Sequence, residues 1–205
     1  MKLKIIDNND KGQNIYIYYD EKSSDAVIVD PGHNATEVLE FVKDLNVKKI
    51  LLTHSHYDHI GDVNKVKVKT SAPICCHTDE KPLLQDPALN LSGPFFGEPL
   101  DITPDEVFDD NHTITIGDTT IKVIHTPGHT AGGACFYDEK NNVLFSGDTM
   151  FKRDIGRSDL PTGNGATLEA SVRNKLLTLP NDTIVYPGHG PSTTIKDEKE
   201  LWGVL

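Results

Sequence analysis

The 205-residue chain is short of positive charge: 20 Lys and Arg stand against 31 Asp and Glu, a formal net charge of −11 at pH 7. That balance argues against a nucleic-acid partner, because holding phosphates requires clustered cations that displace condensed counterions. Long hydrophobic runs are also lacking. Nowhere do about eighteen apolar residues follow one another, the length a membrane-crossing helix needs, so no membrane partner is expected. The start, Met1 to Asn14, has lysines but no apolar stretch and no small-residue cleavage site, which makes the cytoplasm the expected location. Cysteine is scarce. Cys75, Cys76 and Cys135 have no ligand-like spacing and cannot build a disulfide framework.

What is present is ordinary for a globular chain: 37% hydrophobic and 25% charged residues, too well mixed for disorder. The length suits one sizeable core, and a single domain over residues 1–205 is expected, as a monomer or small homo-oligomer. Sixteen glycines and twelve prolines announce many turns.

Alternation over Asn14 to Tyr19 and the apolar run Ala26 to Asp30 predict two early strands. Asn34 or Thr36 can then cap a helix carrying Val38, Leu39, Phe41, Val42 and Leu45, ending near Asn46 before a strand at Lys48 to Leu52. Such a strand, helix, strand unit places its second strand parallel to the first and exposes the carboxyl ends as a site. Ile60 to Lys69 is helix-like, and Pro73 to Cys76 reads as a strand ending at His77, which is expected at the surface. Gln85 to Pro104, with four prolines and with Phe95 and Phe96 near its middle, reads as a long loop and a candidate substrate wall. Thr113 to Ile116, the turn Gly117-Asp118 and Thr119 to Ile124 form a hairpin pattern. Strands Gly133 to Tyr137 and Val143 to Phe145, a helix Ala166 to Leu179 and a strand Thr183 to Tyr186 complete the reading.

The chemistry is concentrated in Thr53-His54-Ser55-His56-Tyr57-Asp58-His59, directly after the apolar Ile50-Leu51-Leu52. Three histidines and an aspartate within six positions would repel one another if protonated and would waste buried polarity if neutral. A divalent metal resolves that conflict, since neutral imidazole and carboxylate are good ligands. Three further potential ligands each follow a strand: His129 in His125-Thr126-Pro127-Gly128-His129-Thr130, Asp148 in Ser146-Gly147-Asp148-Thr149, and His189 in Pro187-Gly188-His189-Gly190. A glycine precedes each one and lets the backbone approach a crowded ion. Asp30, at a strand end before Pro31-Gly32, is a candidate to orient a ligand histidine.

With these segments in this order, the sequence resembles the metallo-β-lactamase superfamily from about Asn14 to Gly190. The resemblance implies an α/β (α+β) four-layer αββα sandwich with the site at one edge, between the sheets. Carried over position by position, one metal would take His54, His56 and His129, the second Asp58, His59 and His189, and Asp148 would bridge them. His33, His77, His112 and His125 have no place in that pattern. Within the superfamily the chain is most similar to short glyoxalase II-type hydrolases, through Gly147 to Phe151 and Ile155 to Gly163. A bridging Asp148 departs from true β-lactamases. After His189 no helical domain of the kind that holds glutathione in longer enzymes is expected. Pro191 also stands close to where those enzymes have a glutathione-contacting tyrosine.

The resemblance implies a metal-dependent hydrolase in which a hydroxide shared by two divalent ions attacks a small-molecule thioester such as a hydroxyacylglutathione. Zinc comes first among the metals, and iron or manganese suit the same donors. Asp58 is the candidate to orient the nucleophile, and Arg157 to fork a substrate carboxylate, unless it merely pairs with Asp154 or Asp159. Alternatives are a persulfide dioxygenase binding one iron through His54, His129 and Asp148, a lactone hydrolase, and a metal-binding scaffold without activity.

Overall fold

In a computed structural model, which describes residues 1–7, 12–93 and 98–204, two six-stranded sheets face each other and helices cover both outer faces. The first sheet runs in chain order: β1 (Lys2–Asp7), β2 (Asn14–Tyr19), β3 (Asp25–Val29), β4 (Asn46–Leu51), β5 (Ile74–His77) and β6 (Glu106–Phe108). β1, β2 and β3 pair antiparallel, whereas β3 through β6 pair parallel. Helices α1 (Ala35–Val42), α2 (Tyr57–Ile60), α3 (Val63–Thr70) and α4 (Lys81–Leu84) lie along this half. The second half adds β7 (Thr113–Ile116), β8 (Thr119–His125), β9 (Ala134–Asp138), β10 (Val143–Gly147), the small ribbon β11 (Met150–Phe151) and β12 (Asp154–Ile155), α5 (Gly165–Asn174), β13 (Ile184–Pro187), β14 (Thr193–Thr194) and α6 (Ile195–Leu201). Its sheet order is β14-β13-β10-β9-β8-β7, with β10 and β13 parallel.

The period-two side-chain alternation of a strand builds the layers. Along β2, Ile15 and Ile17 pack outward with Val38, Val42, Val63 and Val66 of α1 and α3. Tyr16 and Tyr18 turn inward to meet Phe136 and Phe145 of the other sheet. β9 divides the same way, with Phe136 between the sheets and Cys135 and Tyr137 outward with Val172 and Leu176. Burying both faces of the parallel strands also explains why Ala26-Val27-Ile28-Val29 reads as a continuous apolar run.

Several boundaries differ from the sequence reading. Helix α1 is capped by the Asn34 side chain but ends at Val42, because Leu45 N already turns back to Val42 O. The expected helix over Ala166 to Leu179 is α5, capped by Asn164 and ending at Asn174, followed by a separate 3₁₀ turn at Leu176–Thr178. His77 is not at the surface: it is 5% exposed, stacked on His125 with ring centroids 3.8 Å apart. Described residues of the 85–104 segment carry no strand, yet the segment is tethered, since buried Asn90 donates to Leu84 O and Leu100 O. Phe95 and Phe96 lie outside the described residues. All three cysteines are buried and free.

Candidate metal centre

Strands β3, β4, β8, β10 and β13 all end on one edge of the sandwich, and the loops leaving them bring the sequence-predicted residues together. The potential ligand atoms of His54, His56 and His129 lie within 4.8 Å of one another, and so do those of Asp58, His59 and His189. Asp148 stands between the two groups: Oδ1 is 3.4 Å from His59 Nε2, and Oδ2 is 3.5 Å from His129 Nε2 and 3.7 Å from His189 Nε2. Asp58 Oδ2 is 3.1 Å from His189 Nε2 and 3.7 Å from His59 Nε2. These separations approach the roughly 3.4 Å between neighbouring ligand nitrogens of a tetrahedral zinc site.

The outer face of each ring sets what the inner face can do. His59 Nδ1 is 2.9 Å from Asp30 Oδ2, His129 Nδ1 is 2.7 Å from the Arg157 carbonyl and His189 Nδ1 is 3.0 Å from the Gly12 carbonyl. His54 Nδ1 is 3.1 Å from the Thr53 hydroxyl oxygen, whose own proton goes to Asp30 Oδ2 at 2.6 Å. Facing acceptors, each neutral ring keeps its proton on Nδ1 and turns a bare Nε2 inward, the second-layer arrangement usual for ligand histidines. His56 is reversed: its Nδ1 faces inward, 2.9 Å from His129 Nε2. On the inward side, His54 Nε2, His59 Nε2 and Asp148 Oδ1 are buried without a hydrogen-bond partner. Such orphans are costly unless something completes them, and this donor set fits divalent cations.

Burial, then the neighbouring histidines, holds His54 well below the ordinary imidazole value, and burial with His129 pushes His56 down to about 3. Both are neutral at pH 7. Burial alone would lower His59 as well, but the Asp58, Asp148 and Asp30 carboxylates outweigh it and raise His59 well above the ordinary value. Burial opposes ionisation of Asp58, yet His59 and His189 lower it further than burial raises it.

One contributor carries no sequence signal. Glu80 is fully buried; Oε1 accepts from Ser55 N at 2.7 Å, and Oε2 accepts from Thr130 Oγ1 at 2.9 Å and Gly132 N at 3.0 Å. It joins the loop bearing His54 and His56 to the loop bearing His129. Burial pushes its carboxyl up to about 7 against those hydrogen bonds.

The other histidines stand elsewhere. His77, Asp79 and His125 also cluster. Their stacked rings are 10° from parallel, so the lone pairs do not converge, and His125 Nε2 lies 3.1 Å from the Ala131 carbonyl. His33 Nε2 meets Tyr57 O, and His112 stacks on Phe108. The Arg157 guanidinium is committed to Asp159 by two 2.7 Å bonds, both side chains being exposed.

Residues 8–189 match the sequence profile described as the metallo-beta-lactamase superfamily. A hydroxyacylglutathione hydrolase, GloC, of Haemophilus influenzae is 35% identical over 97% of this chain and 95% of its own. The crystal structure of BLEG-1, described as a B3 metallo-beta-lactamase, superposes with a TM-score of 0.91 at 43% identity, covering 97% of both chains. A protein crystallised in a di-iron-bound form superposes with a TM-score of 0.82 at 31% identity, covering 98% of both.

Proposed function

Because the chain belongs to the metallo-β-lactamase superfamily, we propose that it is a two-metal hydrolase of small acyl thioesters. The observation that carries this reading is the pair of three-residue groups, His54/His56/His129 and Asp58/His59/His189, with Asp148 between them. Likeness to GloC supports the thioester, and likeness to a protein with a di-iron-bound form supports occupancy by two ions, zinc or iron. Bound there, two divalent cations supply a water acidic enough to be nucleophilic at neutral pH and positive charge to meet a developing oxyanion.

The chain's own residues prepare that chemistry. Asp30, Gly12 O and Arg157 O hold the outer Nδ1 protons of His59, His189 and His129, so it is the Nε2 atoms of these rings that would face a cation. Asp58, held ionised beside His189, orients the attacking water and accepts its hydrogen bond. Solvent reaches the centre from this side: His189 and Asp58 are 32% and 26% exposed, against 0% for His59 and 5% for His129. Arg157 can fork a substrate carboxylate by exchanging its exposed Asp159 partner, a weak pair of the kind solvent screens.

A mononuclear iron dioxygenase would use only His54, His129 and Asp148 and leave the Asp58/His59/His189 group without purpose. The deciding experiment is metal content per chain by elemental analysis, followed by a panel of acyl thioesters, lactones and, given the likeness to BLEG-1, β-lactams. Two ions per chain and thioester turnover fit the proposal. A single iron that resists further loading, with oxygen consumed in the presence of a persulfide, overturns it.

A further inference from the structure

Beside the metal centre lies a cleft of about 530 Å³ bounded by Phe151, Lys152, Arg153, Asp154, His189, Gly190 and Pro191. It shares His189, the most exposed of the histidines in the two groups, so it opens onto the side from which solvent reaches the centre. Phe151 stands edge-on to the His189 ring at 6.2 Å and gives the cleft an apolar wall. Two cations form the rim. Lys152 and Arg153 are the two residues of the turn between β11 and β12, both exposed, and neither pairs with a carboxylate among the described residues. In a chain of net charge −11 most cations are taken up by neighbouring acids, as Lys49 is by Glu106 and Lys175 by Asp110. Lys152 and Arg153 thus place two adjacent cations, without an ion pair among the described residues, at the mouth of this edge.

The turn is also held in place. Arg153 has φ +64°, a left-handed conformation that costs a residue with a Cβ about 1 kcal/mol and that glycine would adopt freely. Its N–H donates to both carboxylate oxygens of Glu198 at 3.1 Å; Glu198 is fully buried and also accepts from Thr193 Oγ1 at 2.7 Å. An acid inside α6 thus anchors an arginine on a strained turn, pointing to a position set by use rather than by folding economy. Asp154 contributes the one negative charge of the lining, but Oδ1 is turned to its own chain, accepting from Ile155 N at 2.8 Å.

We propose that Lys152 and Arg153 form an anion clamp for the carboxylate of the thiol arm of the substrate, so that the preferred thioesters are those of small acidic thiols. This rests on the thioester reading above. A carbonyl placed between the two ligand groups directs one arm past His189 into this cleft, where a carboxylate meets both cations. The clamp is built from residues other than Arg157, whose guanidinium pairs with Asp159 in this structure.

Calorimetric binding to the purified holoprotein tests it with two non-hydrolysable thioethers, S-acetonyl-N-acetylcysteine and its carboxamide, which differ only in the charge. The carboxylate is expected to bind about 5- to 10-fold more tightly at low salt, with the advantage shrinking as ionic strength rises. Lys152→Ala combined with Arg153→Gly, which the left-handed backbone accepts, should bring the ratio to about one, and Lys152→Arg with Arg153→Lys should keep it. Equal affinities in the wild type, or an undiminished ratio in the first variant, overturn the clamp. Turnover of the acetyl thioesters of the same thiols is measured alongside. Absent turnover with the binding preference intact defeats the hydrolase reading alone, and turnover without preference defeats the clamp alone.

Discussion

Oδ2 of Asp30 lies 2.9 Å from Nδ1 of His59, and the same carboxylate accepts from the Thr53 amide at 2.8 Å and the Thr53 hydroxyl at 2.6 Å. One acid from the end of β3 therefore fixes both the start of the histidine loop and the tautomer of a ring six residues further on. Replacing Asp30 with Asn keeps the shape but exchanges one acceptor for a donor, so one of three donors is left facing another. The Asp58/His59/His189 group should lose metal affinity 10- to 100-fold, the usual effect of removing an outer partner of a ligand histidine. Competition with a coloured chelator reads this directly; an affinity equal to wild type would show that Asp30 only shapes the loop.

Asp58→Ala separates catalysis from binding. Asp58 stays ionised beside His189 and borders the solvent-facing side of the centre. If it orients the attacking water, turnover should fall by about 10² or more, the range for a positioned proton acceptor, while KM changes little. Near-normal turnover with two metals bound would remove Asp58 from that role.

Much of this site was legible because its parts are local in sequence. The loop from Thr53 to His59 follows an apolar strand, each later ligand follows a glycine at a strand end, and the β3, α1, β4 unit announces parallel pairing. Elements with little periodicity escaped. β6 has three residues, β11, β12 and β14 have two each, and β1 shows a single fully buried position, Ile6. Helix α6 did have a signal, Thr194 accepting from Asp197 N in a Thr-x-x-Asp cap. Glu80 had none, since its partners Ser55, Thr130 and Gly132 are 25, 50 and 52 positions away. The burial of His77 was equally hidden, because it depends on stacking with His125 from the other sheet.

Acid should unfold the metal-free chain in a defined window. His54 and His56 are depressed below the ordinary value near 6.5, so the stability they contribute is present above that pH and is lost as pH falls through it. Each can contribute a slope of up to about 1.4 kcal/mol per pH unit. His59 and His189 are raised; charged in both states below pH 6.5, they add no slope there. Glu80 acts in the opposite sense. Raised to about 7, it contributes stability that is full below its ordinary value near 4.5 and is lost as pH rises through 7. Urea midpoints of metal-free protein should thus fall from pH 6.5 to 4.5, and fall more steeply in Glu80→Gln. A midpoint that stays level in both proteins would refute the assignment of buried neutral rings.

Two glycines two residues apart should respond differently to the same methyl group. A Cβ on Gly188 would collide with Asp148 Oδ1 and crowd His59 Cε1, and neither can withdraw: the His59 side chain is fully buried, and Asp148 lies among three histidines. The backbone cannot withdraw either, since Gly188 N donates to Gly147 O at 2.8 Å and Gly188 O accepts from Asn14 N at 2.7 Å. Gly190 has nothing within 4 Å of such a Cβ, but its φ of +73° makes alanine strained by about 1 kcal/mol. Gly188→Ala is therefore expected to lose bound metal by displacing the shared carboxylate, while Gly190→Ala keeps its metal and shows only a lower unfolding midpoint. Elemental analysis and thermal melts of the two proteins side by side read both effects. Full metal content in Gly188→Ala would mean that Asp148 does not stand between two ions, and with it the dinuclear reading would fall.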